Sequence, residues 1–311
     1  MEWRSLRVVC VVGVVWTGLC LAWPAKAETL VKLQGDGFGP GLSGYEEAIV
    51  SMALDATKAE FGDYRLENVM LDYNLNRVWR ILGAGDQVNI VISSGIMPMQ
   101  GNDNVEIIEL PFLGGALGLR KSVVHKNFRE QFELVDSLEK LIALRVGQGS
   151  IWQDTAVYLD YGIPLVAAAD VNDLYRMLDR SRFDYLPLSV LQVQHTFDEL
   201  NIAYPDIVLA SKTYIYYPIK IWAYVGPGDS ELAQRLKTGL SKIFADKSAD
   251  QYFLNRYGKH IEDIRRDKGK IFILNNPNIE EDENKLLVSE FLKRFNLEKN
   301  AIFARKKKSP G

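Results

Sequence analysis

Hydrophobic and polar positions along the chain alternate between a period of two and a helical period near 3.6, and the blocks follow one another in strand–helix order. Residues 29–34 form a first strand, and a turn-rich run, Gly35-Asp36-Gly37-Phe38-Gly39-Pro40-Gly41, follows it. Residues 45–61 then repeat Ala48, Met52, Ala53 and Ala56 at helical spacing, with Ser43 as the expected N-cap. The pattern continues with a strand at 66–71, a short helix at 74–82, and strands at 88–93 and 105–110, the last stopped by Pro111. A longer strand is expected at 117–124, followed by a polar connection with a short helix at 126–139.

A second series repeats the plan. Strands are expected at 144–147, 165–168 and 183–186, with helices at 152–161 and 171–178 between them. Two more strands are expected at 207–209 and 214–225, the latter nearly continuous in Tyr, Ile, Trp and Val. Ser230 is expected to cap a helix through Leu232, Leu236, Leu240, Ile243 and Phe244, and 250–257 adds another apolar set. Residues 283–297 place Leu287, Phe291 and Phe295 at four-residue spacing, so a final amphipathic helix is expected to pack on the body. The basic end, 305–311, has no apolar periodicity and is expected to be disordered. Alternation of this kind predicts an α/β protein with mainly parallel sheets, and two blocks imply two sheets.

The first 27 residues stand apart. Arg4 and Arg7 precede an apolar run from Val8 to Trp23, and Pro24-Ala25-Lys26-Ala27 offers a small-x-small cleavage site before Glu28. These are the parts of a secretory signal peptide cleaved after Ala27, with an uncleaved anchor as the alternative. Leu19 ahead of Cys20 does not fit a lipoprotein signal, which wants a small residue there. Export is the expected fate of the chain.

Composition changes the picture in two ways. At 47% hydrophobic and 25% charged, 311 residues suffice for two lobes with cores of their own. Removing the leader takes Arg4, Arg7, Lys26 and Glu2 from 37 basic and 40 acidic residues, which leaves 34 and 39 and a net charge of −5. No concentrated basic surface is expected, so nucleic acid is not the expected partner. The leader also holds both cysteines, Cys10 and Cys20. The remaining chain therefore has no thiol chemistry, disulfide or thiolate metal site. His125, His195 and His260 lie far apart with no HExxH spacing. No cofactor and no metal are expected.

Catalytic signatures are absent: there is no GxSxG, P-loop or kinase set, and the glycines at 35–39 do not continue as GxGxxG. The acidic run Glu280-Glu281-Asp282-Glu283 reads as a solvated loop. One motif stands out, Val146-Gly147-Gln148-Gly149-Ser150-Ile151-Trp152-Gln153-Asp154. There a strand ends in small residues and a helix is expected to begin near Ser150, so its free N–H groups would suit a carboxylate or other anion. A plain β-to-α turn with a serine cap accounts for the form equally well.

These residues, with Asn172-Asp173-Leu174-Tyr175-Arg176-Met177-Leu178, Arg182-Phe183-Asp184-Tyr185-Leu186-Pro187, Leu110-Pro111-Phe112, Leu117-Gly118-Leu119-Arg120 and Tyr216-Tyr217-Pro218, carry a resemblance. In order and spacing, over about 29–260, they resemble the type 2 periplasmic solute-binding proteins of family 3, the polar amino acid ABC transporter superfamily, in a less characterised branch. The resemblance implies two lobes, each a mainly parallel sheet flanked by helices, joined by two crossover hinge segments. Lobe 1 would comprise 28–126 and 213–279, lobe 2 would comprise 127–212, and 280–311 would be a C-terminal helix and basic tail. It also implies a small polar solute held between the lobes by hinge closure, with an inner-membrane ABC permease or a periplasmic sensor as partner and no catalysis.

The sequence departs from the family where amino-acid binders carry an arginine after the third strand of lobe 1: here Ser93-Ser94-Gly95-Ile96-Met97-Pro98-Met99 has none. Arg120 either substitutes for it or points to solvent. Ligands in open α/β lobes sit beyond the carboxyl ends of strands. That places Asp36, Phe38, Tyr73, Asn74, Ser93 and Ser94 on one side of the expected cleft, and Gln148, Ser150, Trp152, Asp184 and Tyr185 on the other, with Arg120 beside them. Two rivals remain at this stage. One is a dehydratase-like enzyme on the same scaffold using Asp36, Asp184 or His125; the other is an interaction or sensory protein that docks through its final helix and tail.

Overall fold

A computed structural model describes residues 28–39, 41–71, 75–94, 104–110 and 112–303. The leader, Tyr73, Asn74 and the basic tail lie outside the described residues. The elements run β1 Thr29–Gln34, α1 Tyr45–Asp55, α2 Lys58–Phe61, β2 Tyr64–Val69, α3 Leu75–Ala84, β3 Ile90–Ser93 and β4 Glu106–Leu110. After a 3₁₀ stretch, Phe112–Gly118, come β5 Leu119–His125, α4 Arg129–Glu133, α5 Leu138–Ile142, β6 Val146–Gly149, α6 Thr155–Asp160, β7 Leu165–Ala168, α7 Val171–Asp179, β8 Leu186–Ser189 and α8 Val193–Leu200. The chain closes with β9 Ile207–Tyr216, β10 Ile221–Val225, α9 Ser230–Ala245, α10 Ser248–Arg266, β11 Lys270–Ile273, α11 Glu281–Phe295 and β12 Ala301–Phe303.

The first sheet has the order β2-β1-β3-β10-β4. Its period-two pattern sorts side chains onto two faces, as the pleat requires. Ile90, Ile92, Ala223 and Val225 face the core shared with α1 and α9, whereas Val91 and Tyr224 face Val78, Trp79 and Leu82 of α3. The second sheet runs β12-β11-β9-β5-β8. A parallel bridge from Tyr185 to Val146 carries it on to the pair β6 and β7. Val124, Val146 and Ile215 face Phe132, Leu141 and Val157 on one side, and Val123 and Ile207 face Leu174, Leu178 and Val193 on the other. The architecture is the expected α/β pair of sheets, but both are mixed. β10 is antiparallel to β3 and β4, and β5 is antiparallel to β8 and β9.

Several boundaries differ from the sequence expectation, each for a local reason. The helix expected at 45–61 breaks into α1 and α2, where the Thr57 hydroxyl bonds back to the Ala53 and Leu54 carbonyls at 3.0 Å each. The cap of α1 is Gly44 in the left-handed region, not Ser43, and that of α9 is Asp229, with Ser230 the first helical residue. The strand expected at 214–225 is two strands that belong to different sheets, β9 and β10. Pro218 has no N–H to give a ladder, and the break leaves 217–220 as a crossover. Strand β9 runs unbroken across residue 213 in the second sheet and β11 pairs with it, so the expected lobe boundary at 212/213 falls inside a strand. β11, β12 and α8 lie outside the elements expected from pattern.

The two crossovers, Phe112–Gly118 and 217–220, run side by side. A Cβ on Gly118 would lie 1.8 Å from the Tyr217 carbonyl oxygen, so only glycine permits this approach. The Tyr217 N–H reaches the Gly118 carbonyl at 3.4 Å.

Candidate functional site

A cleft of about 630 Å³ lies between the two sheets. From the first sheet it takes Gln34, Asp36 and Phe38 beyond β1, and Ile92, Ser93 and Ser94 at the end of β3. The second sheet contributes Trp152, Gln153 and Asp154 from the turn after β6, and Leu188, Ser189 and Gln192 around β8. The crossovers add Leu117, Ile219 and Lys220, and the start of β5 adds Arg120. All of these are loop or strand-end positions, which a rigid α/β scaffold holds out toward a ligand.

A buried charge cluster borders the cleft through Arg120 and Asp154. Arg120, at the start of β5, donates from Nη2 to Asp154 Oδ2 at 2.8 Å and from Nε to the Tyr217 hydroxyl at 2.8 Å. Tyr217 in turn donates to Asp154 Oδ2 at 2.5 Å, and its hydroxyl lies 3.3 Å from that of Tyr158. The Arg120 and Asp154 side chains are only 12% and 9% exposed. Asp154 occupies the N-cap position of α6, yet makes no capping bond, because its carboxylate turns to Arg120 instead. Burial works against the Arg120 charge, but Tyr217 and Asp154 more than offset it and hold the guanidinium above its ordinary pKa. Burial likewise pushes the Tyr158 and Tyr217 phenols well above theirs, so both keep their protons.

On the opposite wall Asp36 sits in the left-handed region at φ 51°, a conformation that aspartate tolerates, and its carbonyl accepts Gly39 N–H at 2.9 Å. Phe38 is held by Glu46, whose Oε1 accepts its N–H at 3.3 Å. Across the cleft Gln192 Nε2 donates to the Phe38 carbonyl at 2.6 Å and bridges the two walls. At the crossover, Lys220 pairs with Glu283 at 2.9 Å and Glu109 at 3.5 Å, and its ammonium lies 5.6 Å from the Trp222 ring centroid. Burial lowers the Lys220 pKa, and the two carboxylates raise it by more.

Of the site residues expected from sequence, Asp36, Phe38, Ser93, Ser94, Arg120 and Trp152 come together at the cleft. Arg120 points inward to the charge cluster and not to solvent. Four others go elsewhere. Gln148 is fully buried, with neither amide atom bonded to protein. Ser150 is exposed and does not line the cleft; α6 begins at Thr155, so the helix end expected near Ser150 is not there. Asp184 is turned to Arg145, accepting from its backbone N–H at 2.7 Å and from its guanidinium at 2.8 Å. Tyr185 is buried against Phe132 with ring centroids 5.2 Å apart. The glycines beside Gln148 serve packing: a Cβ at Gly147 would meet the Phe183 ring at 2.4 Å, and one at Gly149 would meet the Trp152 indole at the same distance.

Sequence reasoning quoted Asp154 without assigning it a place in the cleft, and missed Lys220 and Gln192. Asp154 directly before a helical pattern was the available signal, but its pairing with a residue 34 positions earlier has none. The dehydratase-like constellation is not assembled, since neither Asp184 nor His125 lines the cleft with Asp36. Among the described residues no cluster of three or more His, Cys, Asp or Glu is placed to hold a metal ion, and no helix is long and apolar enough to cross a membrane.

No protein-family model and no curated protein matches the chain. Solved structures do. The probable amino-acid ABC transporter extracellular-binding protein YtmK of Bacillus subtilis is 14% identical with a TM-score of 0.52, over 74% of this chain and 99% of that one. An ancestral arginine-binding protein bound to arginine is 14% identical with a TM-score of 0.47, over 75% and 99% of the two chains. A protein from work on glutathione import in Streptococcus mutans is 9% identical with a TM-score of 0.48, over 74% and 95%. Nearly all of each neighbour is matched while about a quarter of this chain lies outside the match. With its two mixed sheets, paired crossovers and the cleft between them, the chain has the two-lobe α/β fold of the type 2 periplasmic binding proteins.

Proposed function

We propose that the protein is an exported, non-catalytic solute-binding protein that closes its two lobes on a small polar solute. The observation that carries this reading is the cleft itself: about 630 Å³, walled by loop residues of both sheets, with the Arg120–Asp154–Tyr217 cluster among its lining and partners. A volume of that order suits a metabolite-sized guest. A solute touching Asp36 and Ser93 on one wall and Trp152 and Gln192 on the other lowers the closed state more than the open one, and only that difference drives closure. The site-residue set for this reading is Asp36, Phe38, Ser93, Ser94, Arg120 and Trp152, joined by Gln34, Asp154 and Gln192.

The basic-then-apolar leader ending at Ala27 supports delivery to the periplasm. There the closed protein would hand its solute to an inner-membrane ABC permease or report it to a sensor. Lobe 1 comprises 28–110 with β10, α9 and α10, and lobe 2 comprises β5–β9 with β11 and β12 in its sheet.

The test is titration calorimetry of the chain from residue 28 against the standard L-amino acids, glutathione, putrescine and spermidine, with small-angle scattering on each binder. Saturable heat at one site and a smaller radius of gyration are expected. Heat without compaction from every compound, or no heat from any, would refute the reading.

A further inference from the structure

We infer that the segment after α10 is part of the solute site: its loop, 275–279, forms the hinge-side wall of the cleft, and Asn278 on that wall is a specificity-determining contact. The inference deepens the solute-binding reading and rests on it. Asn276, Asn278 and Ile279 line the cleft beside Lys220.

The loop is built, not draped. Asn284 of α11 is 1% exposed and all of its polar capacity goes to shaping these residues. Its Nδ2 donates to the carbonyls of Asn276 at 2.9 Å, Ile279 at 2.6 Å and Glu280 at 3.2 Å, and its Oδ1 accepts the Asn276 N–H at 2.8 Å. Asn276 then ties the loop to the second crossover, donating from Nδ2 to the Pro218 carbonyl at 2.9 Å. Its Oδ1 accepts the Asn278 N–H at 3.0 Å. The Asn275 N–H is held by the Tyr161 hydroxyl at 2.9 Å.

Both ends of the loop are anchored as well. Upstream, β11 pairs with β9, and Leu274 N–H donates to the Tyr216 carbonyl at 2.8 Å. Downstream, Phe291 of α11 stacks on Tyr216 with centroids 3.9 Å apart and planes within 10°. Among the described residues neither the Asn275 nor the Asn278 side-chain amide makes a protein hydrogen bond, but Asn275 does not line the cleft, whereas Asn278 does and is exposed there. A fixed backbone presenting one uncommitted amide toward a cavity is the arrangement that reads polarity in a ligand, because the donor and acceptor arrive already ordered.

The experiment compares wild type, Asn278→Ala and Asn278→Asp, each as the chain from residue 28, by calorimetry against the standard L-amino acids, glutathione, putrescine and spermidine. Because Asn278 is exposed, all three proteins should unfold at the same temperature without additive. For compounds that bind wild type, Asn278→Ala is expected to weaken Kd by roughly tenfold, as loss of one good hydrogen bond does. Asn278→Asp should move the order of affinities toward arginine, lysine, putrescine and spermidine. Equal affinities and an unchanged order in all three proteins would overturn the inference while leaving the solute-binding reading standing. No binding by wild type would overturn both.

Discussion

Removing Asp154 isolates what the buried cluster contributes. In Asp154→Ala, Arg120 loses its only carboxylate partner in the cluster, and the Tyr217 hydroxyl loses its acceptor in the same step. At 2.8 Å and an effective dielectric near 20 the pair's attraction is roughly 6 kcal/mol before the cost of desolvating both charges. Stranding one buried charge typically costs about 3–5 kcal/mol net. The 12% exposure of Arg120 lets water reach it and favours the lower end of that range. No helix-capping loss enters, since Asp154 makes no capping bond. Urea unfolding at pH 7 should therefore show Asp154→Ala about 3 kcal/mol less stable. The double variant Arg120→Met/Asp154→Leu removes both charges and should be more stable than either single change, while losing affinity for any solute the wild type binds. If Asp154→Ala costs under about 1 kcal/mol, the pair behaves as an exposed surface bridge. If the two single costs simply add in the double variant, the residues are not coupled. Either result refutes the cluster as described.

Three further expectations follow from neighbouring contacts. Burial, as the first cause, raises the Glu46 pKa above its ordinary 4.5, with the Phe38 N–H partly opposing it. The folded state then binds this proton more tightly than the unfolded state. Its stabilising effect is full below pH 4.5 and is lost as pH rises from there through the raised value. Glu46→Gln should flatten that part of the stability-against-pH curve, measured by urea midpoints, and an unchanged slope would count against it. Gly149→Ala should push the Trp152 indole off its seat, costing about 1–3 kcal/mol and shifting the tryptophan emission; unaltered emission would contradict the packing. Gln192→Ala removes the 2.6 Å bond across the cleft to the Phe38 carbonyl, so scattering should give a larger radius of gyration without additive, and an unchanged radius would dismiss the bridge.

What the sequence disclosed divides by the range of the interaction. Strand β1 was read at its observed bounds, and β3, β4 and α7 within a few residues, because their signals are local: period-two burial or a helical stripe next to turn residues. Asp36, Phe38, Ser93 and Ser94 were legible because a strand's carboxyl end is found from the strand alone. Residues whose place depends on a distant partner were not. Asp184 and Tyr185 fall inside the strand expected at 183–186, but the strand begins at Leu186, and of the two Tyr185 is buried against Phe132 and Asp184 is turned to Arg145. Asn276 and Asn278 are unremarkable polar residues until β11 docks beside β9 and carries them to the cleft. Asparagines 276 and 284 read as ordinary loop and helix residues, though between them they fix a wall.

The break between β9 and β10 links the fold to the site. A continuous strand through 214–225 would belong to one sheet; interrupted at Tyr217-Pro218 it joins two, and the interruption lies against Gly118 of the other crossover. Arg120 follows the first crossover by two residues, Tyr217 lies in the second, and Asp154 comes from the wall of the second sheet. The charge cluster therefore ties the start of β5 and the second crossover to one wall of the cleft, next to where both connecting segments pass. A rotation that moves β5 relative to β10 has to carry the 2.8 Å and 2.5 Å bonds with it or break them, and in so buried a setting breaking them leaves a charge unpaired. If the lobes close on a solute as proposed, the pivot is confined to the residues flanking the cluster, Phe112–Gly118 in one crossover and 218–220 in the other, where the glycine run with left-handed Gly114 and Gly115 supplies the backbone freedom that a hinge requires.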